Sequence, residues 1–550
     1  MIAIQQPLFE PPSNWTMPTE LPELRGRTKW ISVDVESYDP ELKSKGPGFP
    51  RKDAHIVGIS LAAEGGFKRY FPVRHGTGPN LAPNVVFPWL REQLGGDEEK
   101  VGAYLIYDME ALAYEGVELK GPLYDVQVAD ALIDENHRSY GLEAVSQRWL
   151  GYGKDDSVLK DTATLYGPQK RRPKNWRAHQ ELWKMNAKYV GEYAEADADN
   201  PVKIRELQRP ELDKQDLWRV MDLEHKILRP LLAMRLKGIP VSVERAIEVK
   251  KILKGLESAL QDKIKAMFGR FADIWSAKDL EPLFIKAGID VPRTGKGNLS
   301  ITSDWLKSLS GNAFADALAR CRKIHICHRD YATDAINLSV DGKLYSRFNS
   351  VKSGENDDDD ADADGTGSGR FSSTMPNMQQ WPSRDLELAK LVRSIVVAEP
   401  GKIRFKGDYS QQEPRWLIHF AALTRKPGAA EAVAKFREDP TTNYHNMVQD
   451  LIRKESGTLY DKFTVKTMNL GLMYAMGLKK LCVKLGISKD EGKKILSHYH
   501  KAIPFAKALL EECMELAADR GYIKTHLGRR VHFNLYEPDK KQFRNNDDRK

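Results

Sequence analysis

Gly407-Asp408-Tyr409-Ser410-Gln411-Gln412-Glu413-Pro414-Arg415 is the stretch from which the rest of the chain is read. Before it, Lys402 to Lys406 alternates, with Ile403 and Phe405 on one side, which predicts a short strand; after it, Trp416-Leu417-Ile418-His419-Phe420 predicts a buried helix. Asp408 then closes a strand, where a carboxylate on a rigid element can hold a hard cation such as Mg²⁺ with open positions for phosphate. Taken alone, the stretch reads more simply as a turn aspartate before a helix.

A second stretch changes the balance. In Lys462-Phe463-Thr464-Val465-Lys466-Thr467-Met468-Asn469-Leu470-Gly471-Leu472-Met473-Tyr474, positions 462, 466, 470 and 474 recur every four residues and form one stripe on a helix. Its lysines suit a triphosphate as point charges, and its tyrosine can stack on a base. By itself the stripe is equally an ordinary amphipathic surface. Together and in this order, the two stretches resemble motifs A and B of the family A DNA polymerases. Motif A is matched by Asp408, Tyr409, Ser410, Gln411, Glu413 and Arg415, and motif B by Lys466, Gly471 and Tyr474.

At 550 residues the chain implies several domains. Lys+Arg of 85 against Asp+Glu of 77 gives a formal charge of +8, which suits a polyanion only where the basic residues cluster. Cys321, Cys327, Cys482 and Cys513 include no Cys-x-x-Cys pair and no matching histidines at zinc spacing, which favours a reduced cytosolic protein over a secreted or zinc-binding one. No apolar run has transmembrane length, and Met1 to Glu20 has no basic start before an apolar segment, so neither a membrane partner nor a signal peptide is expected.

Trp30 to Ser37 alternates strictly, predicting a strand with Ile31, Val33 and Val35 facing a core and Asp34 and Glu36 on the other side. Paired carboxylates repel unless a proton or a cation intervenes. A polar outer face of an edge strand is the plainer alternative. Ile56 to Ala62, Tyr70 to Val73 and Val101 to Tyr107 predict further strands, the last ending at Asp108, and Tyr193-Ala194-Glu195-Ala196-Asp197 lies in a helical stretch. This order resembles the 3′→5′ proofreading exonuclease domain attached to many family A polymerases. The resemblance implies an RNase H-like domain in which Asp34, Glu36, Asp108 and Asp197 hold two cations and Tyr193 orients the attacking water. Tyr104 stands where that family has asparagine, which implies an altered grip on the frayed primer end with excision retained.

Asn200 to Asp216 fits a linker or a long helix, and residues 244 to 340 read as mostly helical around a loop at Arg293 to Asn298. Glu355 to Ser368 is a low-complexity acidic run expected to be a mobile loop. Beyond it, Gly369-Arg370-Phe371-Ser372-Ser373 and Pro376-Asn377-Met378-Gln379-Gln380 resemble segments from which Arg370, Asn377, Gln379 and Gln380 would contact the minor groove, with Arg415 also expected at DNA.

Ser410 and Glu413 form a capping-box pattern, and in the family the same glutamate excludes a 2′-hydroxyl. The resemblance also assigns nucleotide contacts to Lys462, Lys466, Leu470, Tyr474, Gln411, Glu413, His445 and Tyr409, and metal binding to Asp408 with Tyr409. Lys462 replaces an arginine, Leu470 an aromatic ring and Ala475 a glycine, which implies unusual discrimination among nucleotide sugars or bases. The family's second metal-binding aspartate, in a His-Asp-Glu turn, is not found before Lys550; His532 is followed by Phe533. The expectation is a chain truncated before that motif.

The fold expected is thus multidomain, α/β and α+β: an extension (1–27), an RNase H-like exonuclease (28–208) and a right-hand polymerase region (209–550). The latter would comprise a thumb at about 240–345, a palm at about 366–425 and 520–550, and fingers at about 426–519. The function expected is template-directed DNA synthesis with proofreading, using two Mg²⁺ per active site or Mn²⁺ in their place. Its partners would be DNA primer-template and deoxynucleoside triphosphates. The protein would act as a monomer without a 5′-nuclease domain, in the cytoplasm of a bacterial host if phage-encoded. The alternative is a 3′→5′ exonuclease that uses the polymerase-like part as a DNA-binding platform.

Overall fold

The computed structural model describes residues 12–166, 178–351, 367–383 and 385–533. The chain divides into two compact units, residues 1–403 with 524–530 and residues 404–523 with 531–550. The acidic run up to residue 366 and the expected palm segment from 534 onward lie outside the described residues.

In the first unit, β1 (Trp30–Tyr38), β2 (His55–Ala63), β3 (Phe67–Pro72), β4 (Glu99–Gly102) and β5 (Leu123–Asp125) form one sheet in the order β3-β2-β1-β4-β5. The central strand β1 pairs antiparallel with β2 and parallel with β4. As its alternation predicts, Ile31, Val33 and Val35 enter a core with Ile59, Leu61, Phe71 and Leu105. The third strand starts three residues earlier than expected, at Phe67.

One expectation is corrected here. The strand predicted from Val101 to Tyr107 stops at Gly102, because Tyr104 adopts a left-handed backbone (φ 59°) and Leu105–Tyr114 is a helix. Asp108 therefore sits in the first turn of that helix, not at a strand end. Of the linker or long helix expected for Asn200 to Asp216, the helix forms: it is part of one continuous helix, Gly191–Gln215, packed across β1, β2 and β3 through residues such as Ala194 and Ala198.

After the helix Trp218–Lys237 the chain turns at Gly238 (φ 67°) into the long helix Val243–Phe268. Ala313–Ile326 packs against it and continues into a π-helical turn, Cys327–Ala332. Leu253, Ile324, Cys327 and Ala332 bury their side chains between these helices.

The second unit is built on helices, among them Gln412–Leu423, Tyr444–Ser456, Lys462–Met473, Lys489–Ala502 and Pro504–Arg520. Ile418, Val448, Val465, Met468, Leu481 and Phe505 share its core. The helix predicted after Arg415 forms, but only Ile418 of its Trp416 to Phe420 segment is buried; Trp416 stays 48% exposed.

The strand predicted at Lys402 to Lys406 does not form, and Ile403 and Phe405 are 93% and 87% exposed. Alternation supplies only one face; a strand also needs a neighbour for its backbone groups. Among the described residues no strand pairs with this segment. The capping box fails too. The helix begins at Gln412 with Gln411 as N-cap in the left-handed region (φ 54°), so the Ser410 hydroxyl does not cap it.

Candidate active sites

The first site grows out of β1. Side chains alternate across a strand, so Asp34 and Glu36 emerge together on the face opposite Ile31, Val33 and Val35. A register shift between Glu36 and Ser37 bends the strand at that point, a common device for aiming side chains. The helix Gly191–Gln215 carries Tyr193 and Asp197, one turn apart, over the same face. Ligand oxygens of Asp34, Glu36 and Asp197 lie within 4.8 Å of one another. Asp108 does not join that group. Its Oδ1 accepts a hydrogen bond from the Val35 backbone N–H at 3.0 Å, one residue along the strand from Asp34, whose charge it feels.

Such crowding has an electrostatic cost. Removal from water, then repulsion from Asp197, lifts the Asp34 carboxyl to about 7 against the pull of Lys154. Burial, followed by the charges of Asp34 and Asp197, raises Glu36 well above the usual carboxylate range. Asp108 is raised by burial and by Asp34. Lys154, which the sequence reading overlooked, answers part of this charge. Its Nζ is 2.7 Å from Asp197 Oδ1 and 2.8 Å from Oδ2, and it donates to the Tyr193 hydroxyl at 3.3 Å. Burial opposes the ammonium form, yet Asp197, Asp34 and Glu36 together hold Lys154 above its ordinary value. Glu36 Oε1 remains buried without a hydrogen-bond partner.

Tyr104 does not extend freely into this site. Its hydroxyl donates to Asn349 Oδ1 at 2.9 Å and accepts from Arg347 at 3.3 Å. Asn349 belongs to the strand pair Arg347–Asn349 and Ser372–Thr374, which the exposed Arg370 precedes and the exposed Gln379 and Gln380 follow in sequence. The Asn377 side-chain Oδ1 accepts from the backbone N–H groups of Gln379 and Gln380, fixing the turn that carries both glutamines.

The second site lies in the other unit. Lys462, Lys466, Leu470 and Tyr474 are all exposed along one side of the Lys462–Met473 region, with Tyr474 as C-cap, while Val465, Met468, Asn469 and Leu472 are buried on the opposite side. Asp461 caps the helix by accepting from the N–H groups of Phe463 and Thr464. Asn469, which the sequence reading did not select, donates from Nδ2 to His445 Nδ1 at 2.9 Å and so fixes that ring against the helix. Burial, then the nearby Lys466 charge, lowers the His445 pKa.

Gln411 joins the Asp408 turn to the same group of helices. Its amide donates to the Thr442 carbonyl at 2.9 Å and accepts from the Tyr444 N–H at 2.5 Å. Both ends are thereby engaged, and Gln411 fastens the turn that carries Asp408. Arg415 holds the same turn: it donates to the carbonyls of Ser410 (3.0 Å) and Pro440 (2.6 Å) and lies over the Phe436 ring. Asp408, Tyr409 and Glu413 are exposed. No group of three potential metal ligands among the described residues includes Asp408. Ala475 takes φ 52°, a conformation that favours the glycine it replaces.

The profile of a family described as DNA polymerase family A matches residues 244–550. A DNA-directed DNA polymerase of Pseudomonas phage M6 is 33% identical over 97% of this chain and 85% of its own length. The DNA polymerase DpoZ of Acinetobacter phage SH-Ab 15497 is 26% identical over 92% and 82% of the two chains. Among solved structures, the POL domain of Pol1 from M. smegmatis, in complex with DNA primer-template and dNTP, matches with TM-score 0.70 at 20% identity, covering 95% of this chain and 80% of the other. No helix among the described residues is long and apolar enough to cross a membrane.

Proposed function

The chain belongs to DNA polymerase family A, and from that premise we propose that it extends a primer on a DNA template with deoxynucleoside triphosphates and excises nucleotides from the same 3′ end at a separate site. The observation that carries synthesis is the exposed Lys462, Lys466, Leu470, Tyr474 stripe, on a helix fastened through Asn469 to His445, beside the segment that Gln411 fastens to the Asp408 turn. Lys462 and Lys466 neutralise the triphosphate and Tyr474 offers its ring to the base. His445, lowered in pKa and oriented by Asn469, presents a neutral N–H to an outer phosphate oxygen. Glu413 lies against the sugar and disfavours a 2′-hydroxyl, Leu470 packs beside it, and Asp408 with Tyr409 holds Mg²⁺.

Excision belongs to the carboxylate site. Asp34, Glu36 and Asp197, with Asp108 alongside, fit divalent cations: their oxygens converge, they repel one another, and Glu36 Oε1 has no other partner. Mg²⁺ there, or Mn²⁺ in its place, supplies an activated water and a stabilised leaving oxygen. Tyr193 holds the water in line, and Lys154 keeps the Tyr193 hydroxyl and Asp197 in place. Arg370, Asn377, Gln379 and Gln380 hold the primer-template through its minor groove. The phage relatives support a role in copying a phage genome, and the reading is completed by a protein that acts as a monomer in the host cytoplasm.

A labelled primer annealed to a template tests both halves in Mg²⁺. It should lengthen when all four deoxynucleoside triphosphates are present and shorten when they are omitted. A primer that only shortens refutes synthesis, and one that only lengthens refutes excision.

A further inference from the structure

Glu257, His325 and His328 lie in the helical part of the first unit, apart from the residues assigned to either reaction. Glu257 projects from the long helix Val243–Phe268. Its Oε1 is 2.8 Å from His325 Nδ1, and its Oε2 is hydrogen-bonded to His328 Nε2. Nitrogen and oxygen atoms of the three side chains all fall within 4.8 Å of one another. The two imidazoles meet edge to face with centroids 4.9 Å apart, so their nitrogens converge on one carboxylate. Glu257 and His328 are 9% and 7% exposed, whereas the His325 side chain keeps 25% of its surface, leaving one way in.

The backbone is irregular at the same place. His325 ends an α-helix, and His328 opens onto the π-helical turn Cys327–Ala332. Wide turns of this kind inside helices recur at functional sites. Cys321 takes no part: its Sγ faces the Glu257 backbone carbonyl at 3.9 Å.

We infer that Glu257, His325 and His328 form a binding site for zinc. Two imidazole nitrogens and one carboxylate are a common zinc donor set, and a water entering past His325 completes four-coordination. Mg²⁺ prefers oxygen donors in octahedral geometry, so the cation proposed for the two reactions does not compete here. On binding, each coordinating imidazole nitrogen passes the proton of its hydrogen bond with Glu257 to its other ring nitrogen or to solvent, and ligand bonds of about 2.0–2.2 Å form. It clamps Val243–Phe268 to the π-helical turn. The cysteine-based expectation of no zinc site overlooked this cluster because Glu257 stands 68 residues before His325.

Untagged full-length protein, stripped with a chelator and dialysed, is titrated with zinc chloride by calorimetry and with cobalt chloride by visible absorption. One zinc should bind at this site beyond any taken by the Asp34 cluster, and should remain when that cluster is removed, with cobalt giving the intense visible bands of a four-coordinate site. His325→Ala and His328→Ala should each weaken zinc binding by at least the roughly 10–100-fold that loss of an outer partner alone causes. The paired substitution Asp34→Ala with Glu36→Ala, which removes the other cluster, should leave the cobalt bands in place. Circular dichroism checks folding, and the partly exposed His325 decides the matter if His328→Ala unfolds. Absence of a visible cobalt band, or zinc affinity unchanged in His325→Ala, overturns the site.

Discussion

Asp34 and Asp408 are given the same task, holding a divalent cation, in very different settings. Asp34 lies on the central strand of a five-stranded sheet, with Glu36 two residues along and Asp197 delivered by a helix packed across that sheet. Asp408 lies in an exposed segment that no strand among the described residues pairs with, its turn held by Gln411. In the first case the hydrophobic core fixes the carboxylates, and their repulsion is the cost of having them assembled beforehand. In the second the fold prepares only a cationic and aromatic helix face and a tethered turn. A pre-assembled carboxylate site stores electrostatic strain that a cation relieves, whereas an open one relies on its ligands for organisation.

The contrast can be broken most sharply at Glu36. Glu36→Gln should lower excision of single-stranded DNA by at least about 10³-fold, the loss expected when a metal contribution of several kcal/mol is removed. Extension should persist, and equal loss of both activities would show that the two sites are not separate. A smaller effect is expected at Lys466. Lys466→Ala removes a charged hydrogen bond worth about 1.5–3 kcal/mol, and steady-state extension should show a KM for deoxynucleotides raised by about 10- to 150-fold. An unchanged KM would remove that face from the nucleotide site.

The smallest effect is on stability. The folded Asp34 carboxyl is raised from 3.8 to about 7, so between those values the folded state holds a proton that the unfolded chain has released. Stability of the metal-free protein therefore falls as pH rises from about 4 towards 7 on this group's account. Asp34→Asn removes that penalty. Its thermal midpoint should match the parent near pH 4 and exceed it by several degrees above pH 7; a constant offset would mean that charge repulsion is not the cause. Buried His75, lowered to about 4, has the opposite sign: its contribution is complete above pH 6.5 and is lost as pH falls towards 4.

Local pattern revealed what local pattern controls. Alternation along Trp30 to Ser37 located β1 and both of its carboxylates, and the four-residue recurrence from Lys462 to Tyr474 located the exposed helix face. Where tertiary structure decides, pattern misled. Val101 to Tyr107 is apolar enough for a strand, but the left-handed backbone at Tyr104 starts a helix and puts Asp108 in its first turn. Lys402 to Lys406 alternates correctly and still has no strand beside it among the described residues. Lys154 is one cation in a Gly-Lys-Asp-Asp segment, and only the folded chain brings it to Asp197. Asn469 looks like one more polar residue on a helix until its amide is seen against His445.

The most direct test of two independent sites on one chain compares Asp34→Ala and Asp408→Ala on the same labelled primer-template in Mg²⁺, following both lengthening and shortening. The predicted result is a double dissociation: Asp34→Ala extends but does not excise, and Asp408→Ala excises but does not extend. Extension at parental rate by Asp408→Ala, or excision at parental rate by Asp34→Ala, would contradict it.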